Sequence, residues 1–431
     1  MNAAYTEQPF PPSLWAATAT PAQFTSQLSG KVRSDVAVIG AGFTGLSTAL
    51  HLAEKGVQVC VLDAEQPGWG ASGRNGGQVI PGLKYDPDEL RARLGEEHAE
   101  GVIQLAAGAA DVVFNLIEKY GIECDAIRKG WIQTAHSPKL LQLMERRARQ
   151  WEKRGVRVEL LDRSAVAERV GGKGFVGGWV DYRAGSIQPL SYVRGLVRVA
   201  QHLGVAVHGK SRAVKIEKVD GSWQITTDNG SVVVADRVVI ATNGYTDGLW
   251  PGLQQTVLAA NSFLVATKPL SDEQGGPILK GGEVSSDSRR LLVYFRRDAH
   301  GRLVLGGRGP FTNPQSLSEW AHVERALGLL FPQLKNVEFE YRWAGRVAVT
   351  ADFMPHVHEP APGLNIVLGY NGRGIALGTT MGKLMAAYIA DNGKMVFPYP
   401  MTPVVPIPLH GLQRFYMGAG VAWYRLLDAL S

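Results

Sequence analysis

Gly40-Ala41-Gly42-Phe43-Thr44-Gly45 places three glycines at the spacing of a phosphate-binding turn, between a buried-looking apolar run and a helix-like one. The chemistry such a spacing serves is close backbone approach. Gly40 permits the tight turn, Gly42 lets a pyrophosphate reach the main chain, and Gly45 lets the helix pack on the strand, while the first N–H groups of that helix, from Phe43 and Thr44 onward, face the phosphates. Asp63 follows about 23 residues after Gly40, where a carboxylate accepts hydrogen bonds from ribose hydroxyls. Together these predict a bound dinucleotide, without separating NAD from FAD; the competing reading is a glycine-rich turn with Asp63 merely solvated. No histidine pairs recognisably with a serine or cysteine. His356 and His358 have a spacing that only superficially suits a metal, and Pro355 and Pro360 beside them indicate a loop, so no metal is expected.

The elements needed to position these residues are legible nearby. Asp35 to Gly40 is almost wholly apolar, as a parallel strand buried on both faces must be, and Thr44 to Lys55 has the apolar spacing of a helix ending at Gly56. Val57 to Leu62 completes a strand–helix–strand unit. Helices are expected over 88–120, 138–154 and 189–203, then strands from 205 to 216 and a hairpin whose turn is Asp228-Asn229-Gly230. Strand patterns at 262–267, 291–297, 302–306 and 337–348 suggest a second, mostly antiparallel sheet, and 364–368 followed by 374–390 returns to strand-then-helix. Before all this, Pro9, Pro11, Pro12 and Pro21 mark an extended arm; after it comes a proline-rich tail with a helix-like stretch over 415–430.

Composition narrows the class. The 431 residues, with 45 Lys+Arg against 39 Asp+Glu and 45% hydrophobic residues, describe an ordinary globular chain long enough for about two or three domains. A formal charge of +6 without clusters of basic and aromatic residues excludes the usual nucleic-acid signature. Two cysteines, Cys60 and Cys124, make no disulfide framework, and the first 22 residues lack the layout of a signal peptide, so a cytoplasmic location is expected. Fifty-one glycines, about 12% where about 7% is usual, agree with backbone held against a ligand.

A longer resemblance identifies the dinucleotide. Gly68-Trp69-Gly70-Ala71-Ser72-Gly73-Arg74-Asn75-Gly76-Gly77-Gln78 resembles the second fingerprint of the FAD-dependent amine and amino-acid oxidases related to D-amino acid oxidase, glycine oxidase and sarcosine oxidase. Val239 to Gly244, Trp343 to Arg346 with Thr350 to Pro355, and Gly369 to Ile375 resemble later motifs of that family in the same order. Within it, the gamma-glutamylputrescine oxidase branch is the most similar, through ASGRNGGQ, Phe331 to Lys335, Tyr341 to Trp343 and Met417 to Tyr424. The resemblance implies an α/β fold with an α+β second domain. A doubly wound, Rossmann-type FAD domain (31–80, 190–255, 345–395) would interleave with a mostly antiparallel substrate domain (81–189, 256–344), between an arm (1–30) and a tail (396–431). It further implies FAD contacts at Gly40, Gly42, Phe43, Thr44, Gly45, Asp63, Ala64, Gly70, Ala71, Ser72, Arg74, Asn75, Gly76, Gly77, Gln78, Val214, Ala241, Thr242, Asn243, Gly345, Gly372, Arg373, Gly374, Ile375 and Ala376. The helix opening near Gly374 would turn its positive end toward the flavin edge where negative charge collects on reduction.

Departures from the pattern bear on the substrate. The sarcosine-oxidase branch holds a substrate α-carboxylate with an arginine and a lysine, at positions that here carry Pro81 and Ala351. An amine whose oxidised carbon bears no carboxylate is therefore expected, unless Arg296 or Arg308 supplies another clamp. Tyr245, Tyr294, Arg296, Arg308 and Trp343 are the expected substrate-face residues. That branch ties its flavin to a cysteine in the C-terminal half, and none lies beyond Cys124, so non-covalent FAD is expected. The predicted reaction passes a hydride from an amine's α-carbon to flavin N5 and yields an imine, then an aldehyde, with O2 reoxidising the flavin to give H2O2. The alternatives are an amino-acid oxidase or dehydrogenase of the pipecolate, proline or D-amino-acid type, a donor of electrons to a membrane acceptor through a surface-bound tail, and a flavin protein without turnover.

Overall fold

A computed structural model describes residues 10–289, 292–309, 312, 314–413, 415 and 418. Its first sheet is built on strand Lys31–Ile39, which lies between Val59–Leu62 and Val232–Ile240 and pairs with both in parallel. Ala206–His208 extends one side in parallel, Leu364–Leu368 the other, and antiparallel His356–Ala361 closes that edge. The hairpin of Ala213–Val219 and Ser222–Thr227 branches from Val232–Ile240. Strands Val59–Leu62 and Leu364–Leu368 are buried throughout, because helices cover the sheet. Phe43–Ala53 and Gly374–Ala390 lie side by side there. Ser47 Oγ donates to the Thr379 carbonyl at 2.7 Å, and a Cβ at Gly382 would meet the Thr44 carbonyl at 2.5 Å, so the helices cross at backbone distance.

The second sheet runs in the order Phe339–Val349, Leu258–Thr267, Leu303–Arg308, Val293–Arg297, Val284–Asp287, Trp131–Ala135, Gly177–Asp181, Val158–Leu161. It is antiparallel except where Val284–Asp287 meets Trp131–Ala135. The strands Trp131–Ala135, Val158–Leu161, Gly177–Asp181 and Val284–Asp287 are not legible in the sequence, since their apolar runs are short and interrupted by glycine or polar residues. The first sheet draws its strands from 31–62, 206–240 and 356–368, and the second from 131–181 and 258–349. The boundary at 345 falls inside the strand Phe339–Val349, and Ala109–Tyr120, within the segment assigned to the substrate domain, packs on the first layer, with Thr380 Oγ1 donating to the Ala109 carbonyl at 3.3 Å.

The helix expected over 88–120 is two helices, Pro87–Ala107 and Ala109–Tyr120, meeting at Gly108, with Gly95 in the left-handed region inside the first. Its start is set by a capping box in which Asp86 and Glu89 each hold the other's backbone N–H. An 18-residue window here reaches a mean hydropathy of 1.4, and Val102, Ile103, Ala106, Val113 and Leu116 are buried in the core. The N-terminal arm is likewise not simply extended. Leu14–Thr18 is a short helix capped by Ser13, and its Leu14 and Trp15 are buried against Leu190, Leu264 and Trp343. The tail helix expected over 415–430 lies outside the described residues apart from Phe415 and Gly418.

Candidate active site

Where the two sheets meet, a cavity of about 1280 Å³ opens along the strand-to-helix turn. A single ligand pocket holds about 300–1,000 Å³, so this one has room for a dinucleotide and a substrate together. Its nucleotide end is the first turn. Gly40 sits at φ +107°, and a Cβ there would come within 2.9 Å of the Ala241 carbonyl. Gly42 is the N-cap of Phe43–Ala53, where a Cβ would stand 2.8 Å from Ser72 Oγ, and that hydroxyl accepts from the Phe43 N–H at 3.1 Å. Thr44 Oγ1 and Tyr370 Oη are 2.6 Å apart. The turn is thus pressed from both sides and leaves the helix start facing the cavity.

Asp63 accepts from the Ala41 and Glu65 N–H groups at 2.7 and 2.9 Å, yet the surrounding protein wall outweighs both and pushes its carboxyl up to about 6. Ribose hydroxyls donate to the ionised form, so dinucleotide affinity is expected to fall as pH is lowered through that value. Titrating the apoprotein with FAD between about pH 7 and pH 5 checks this; Asp63→Asn should bind about ten- to a hundredfold more weakly and lose the pH dependence.

The segment 68–78 folds as a loop with a 3-10 turn, Ala71–Gly73. Asn75 organises it, donating to the Ala71 and Ser72 carbonyls and accepting from the Gly77 N–H at 2.8 Å. Arg74 lies over the Trp69 ring at 3.8 Å and donates through Nε to the Trp69 carbonyl. Its Nη2 is buried without a hydrogen-bond partner among the described residues, a donor left for an anionic ligand, and burial lowers its pKa. The cradle at Gly42, the carboxylate at Asp63 and the donor at Arg74 all fit a dinucleotide.

Of the residues expected to touch the cofactor, the cavity wall includes Gly40, Gly42, Phe43, Thr44, Asp63, Ala64, Gly70, Ala71, Ser72, Arg74, Asn75, Gly76, Gln78, Ala241, Thr242, Asn243, Gly345, Gly372, Arg373, Gly374 and Ile375. Four are not in it. Gly45 serves packing, since a Cβ would overlap the Gly40 carbonyl; Gly77 sits behind the loop at φ +69°; Ala376 is buried inside its helix. Val214 is 51% exposed because strand alternation turns Ala213 inward and its neighbour out.

Four of the five expected substrate-face residues line the cavity: Tyr245, Tyr294, Arg308 and Trp343. Tyr245 packs edge-on against Trp69 at 5.6 Å and lies over Gly70. Tyr294 covers Gly76, its Oη is 2.8 Å from Ser262 Oγ, and burial pushes it up to about 12, so it is a fixed neutral wall rather than a base. Arg308 ends its strand exposed to the opening. Arg296 is the exception and requires correction. It points to the same face as Tyr294 but about 7 Å further along the strand, where its buried guanidinium donates to the carbonyls of Gly77 and Ile187 and props up the loop from behind. Burial lowers its pKa to about 10.

Sequence reasoning missed the other wall of the substrate end, formed by Lys84, Trp131, Gln133, Arg147, Ser286, Asp287 and Phe353. Lys84 opens into the cavity, and its ammonium has no ion-pair partner among the described residues, only the Phe353 ring at 5.6 Å. Desolvation by the cavity walls, then Arg373, Arg147 and Arg308, lower its pKa. Arg373 donates to the Pro81 carbonyl, and burial with Arg147 nearby lowers it to about 10. Arg147 is paired with Asp86 at 2.6 Å. Pro81 and Ala351 themselves do not line the cavity. No local pattern announces this grouping, whose members come from four separate stretches of chain.

A Rossmann-type sheet with a dinucleotide cradle, joined over one cavity to a mostly antiparallel sheet, is the architecture of a flavin-dependent oxidoreductase. Residues 35–388 match the family described as FAD dependent oxidoreductase, and the chain belongs to it. Its curated relatives include a probable oxidoreductase OrdL of Rhizobium meliloti, 35% identical over 93% of this chain and 94% of that one. The corresponding Haemophilus influenzae protein is 33% identical over 92% of each chain, and the gamma-glutamylputrescine oxidoreductase of Escherichia coli is 30% identical over 97% and 98%. Among solved structures, the fold is similar to glycine oxidase from Geobacillus kaustophilus, with a TM-score of 0.72 at 20% identity over 86% of this chain and 98% of that one. FAD is the cofactor, and the chain is an oxidoreductase of that family.

Proposed function

We propose that the chain oxidises the C–N bond of an amine that carries a carboxylate away from the reacting carbon, as a gamma-glutamyl diamine does. The observation that carries this reading is the group of cations around Lys84 at the substrate end, facing Asp287 as the one acidic residue of that wall among the described residues. A substrate anion there would supply the charge that Lys84 lacks. The name of the Escherichia coli relative, gamma-glutamylputrescine oxidoreductase, points the same way.

Bound FAD supplies a two-electron acceptor for the hydride on the carbon next to nitrogen, after which water converts the imine to an aldehyde and an amine or ammonia. The protein's part is position and electrostatics. Lys84, with Arg373 and Arg308 beside it, would hold the distal carboxylate; Tyr294 and Trp343 wall the reacting end and exclude water; the helix start at Gly374, in the cavity wall, would favour negative charge on a flavin ring bound beside it. Non-covalent FAD is part of the proposal, supported by a cavity wall that among the described residues contains neither cysteine nor histidine. Molecular oxygen as acceptor, with H2O2 as product, and a cytoplasmic setting complete the proposal. An α-amino-acid substrate is the second reading, favoured by the same cations if the carboxylate is held directly beside the flavin.

Anaerobic flavin bleaching against gamma-glutamylputrescine, putrescine, sarcosine, proline and pipecolate separates the two. The gamma-glutamyl amine is expected to bleach fastest. Fastest bleaching by an α-amino acid favours the second reading, and no bleaching by any of them removes both.

A further inference from the structure

Two tryptophans far apart in sequence hold consecutive carbonyls of the flavin-side loop. Trp343 Nε1 donates to the Arg74 carbonyl at 3.0 Å, and Trp15 Nε1, from the N-terminal arm, donates to the Asn75 carbonyl at 2.7 Å. The indoles brace each other edge-to-face, with centroids 5.8 Å apart. The arm is itself anchored. Gln188 Nε2 donates to the Trp15 carbonyl at 2.9 Å and to Thr18 Oγ1, the Thr20 N–H donates to Ser191 Oγ, and Arg296 lies over the Trp15 ring at 5.5 Å.

A trans peptide points its N–H opposite to its C=O, and the described chain contains no cis peptide. Fixing the carbonyls of Arg74 and Asn75 on the indoles therefore turns the N–H groups of Asn75 and Gly76 the other way. Both residues line the cavity, and neither N–H has a hydrogen-bond partner among the described residues. Tyr294 packs on Gly76 so closely that any side chain there would collide with its ring, which further restricts the loop.

We infer that Trp15 and Trp343 are positioning residues that lock the peptides 74–75 and 75–76 with their N–H groups toward the flavin, making the N-terminal arm part of the cofactor site. Two oriented donors of this kind favour the form of a ligand that carries more negative charge, here the reduced flavin. Losing one donor's alignment costs binding of that form more than binding of the oxidised form.

The test is Trp15→Phe, which keeps an aromatic ring in place but removes the indole N–H together with its five-membered ring, with Trp343→Phe as its counterpart. Each is expected to weaken reduced relative to oxidised FAD by about tenfold, read as a fall of about 30 mV in the two-electron midpoint potential. A faster release of oxidised FAD and a changed visible flavin spectrum are expected alongside, in apoprotein that stays folded at the temperature of the measurement. An unchanged potential in both variants overturns the inference, as does a loss of FAD that merely follows a loss of apoprotein stability. If Trp15→Phe fails to fold, a benzothienyl-alanine at position 15 replaces the N–H by sulfur at unchanged volume and reads the same potential. Because no substrate is involved, failure here is distinct from failure of the proposed reaction.

Discussion

Gly42→Val is expected to give a folded protein without FAD. The position has φ −92° and ψ −169°, extended backbone that valine adopts without strain, so folding of the turn is not the obstacle. The obstacle is space. A Cβ stands 2.8 Å from Ser72 Oγ, which must move and give up its hydrogen bond from the Phe43 N–H, and the two methyl groups beyond it enter the room the pyrophosphate needs. One lost hydrogen bond and a steric conflict at the phosphates together weaken FAD by at least a hundredfold, or about 3 kcal/mol. Circular dichroism and the flavin-to-protein absorbance ratio measure the two halves of the prediction. Full flavin occupancy in the variant would remove the cradle assignment. Acid precipitation of the unaltered protein should release all of its flavin as FAD; flavin left in the pellet would contradict non-covalent binding. Gly45→Ala should behave differently. Its Cβ meets backbone, the Gly40 carbonyl, which cannot turn aside, so the whole unit is expected to be lost rather than FAD alone.

Lys84→Met is expected to lower kcat/KM for gamma-glutamylputrescine by about ten- to a hundredfold, the value of one charge-assisted hydrogen bond of about 1.5–3 kcal/mol, while leaving putrescine unchanged or improved. Methionine keeps much of the side chain's length and removes the charge that stands 5.6 Å from the centre of the Phe353 ring. The sign of the second half is diagnostic. Putrescine is itself a cation and is repelled by the group of Lys84, Arg147, Arg308 and Arg373, so removing one positive charge helps it. A pH profile adds an independent reading. Since its surroundings lower the Lys84 pKa, the ammonium is lost earlier on the alkaline side than an ordinary lysine near about 10.4, and carboxylate binding should decline there in the unaltered enzyme but not in Lys84→Met. Equal loss on both substrates would point to a structural role for Lys84. Should proline, sarcosine or pipecolate prove the best substrate by about tenfold or more, the amine reading fails, and Arg308 and Lys84 become the first positions to examine as the direct clamp.

The nucleotide half of the site was the more legible. Gly40, Gly42, Gly45 and Asp63 act through backbone turns and a strand end within one strand–helix–strand unit, and those roles depend on φ/ψ preference and spacing that a short stretch of chain carries by itself. The loop 68–78 was recognisable as a motif, but the support beneath it was not: Arg296 was expected over the substrate and instead holds Gly77 and Ile187 from behind. Periodicity assigned Tyr294 and Arg296 to one face and said nothing of where along that face the cavity ends. Val214 failed by a single step of strand alternation, which a motif match does not resolve. Lys84 and Arg147 carried no signal at all, because nothing local distinguishes a lysine before a helix cap or an arginine within a helix from those on any solvated surface.

Taken by itself, the sequence determined the dinucleotide-binding unit, the flavin class and the division into two interleaved sheets, since each follows from interactions between residues near in the chain or from motifs read whole. Tertiary structure alone decided which side chains share the cavity. Trp343 reaches Arg74 across 269 residues and Trp15 reaches Asn75 across 60, while Lys84, Arg147, Arg308 and Arg373 meet at one end of it. Such meetings are set by the packing of two sheets and their helices over the whole chain, a balance of many small contacts to which no short segment holds the key.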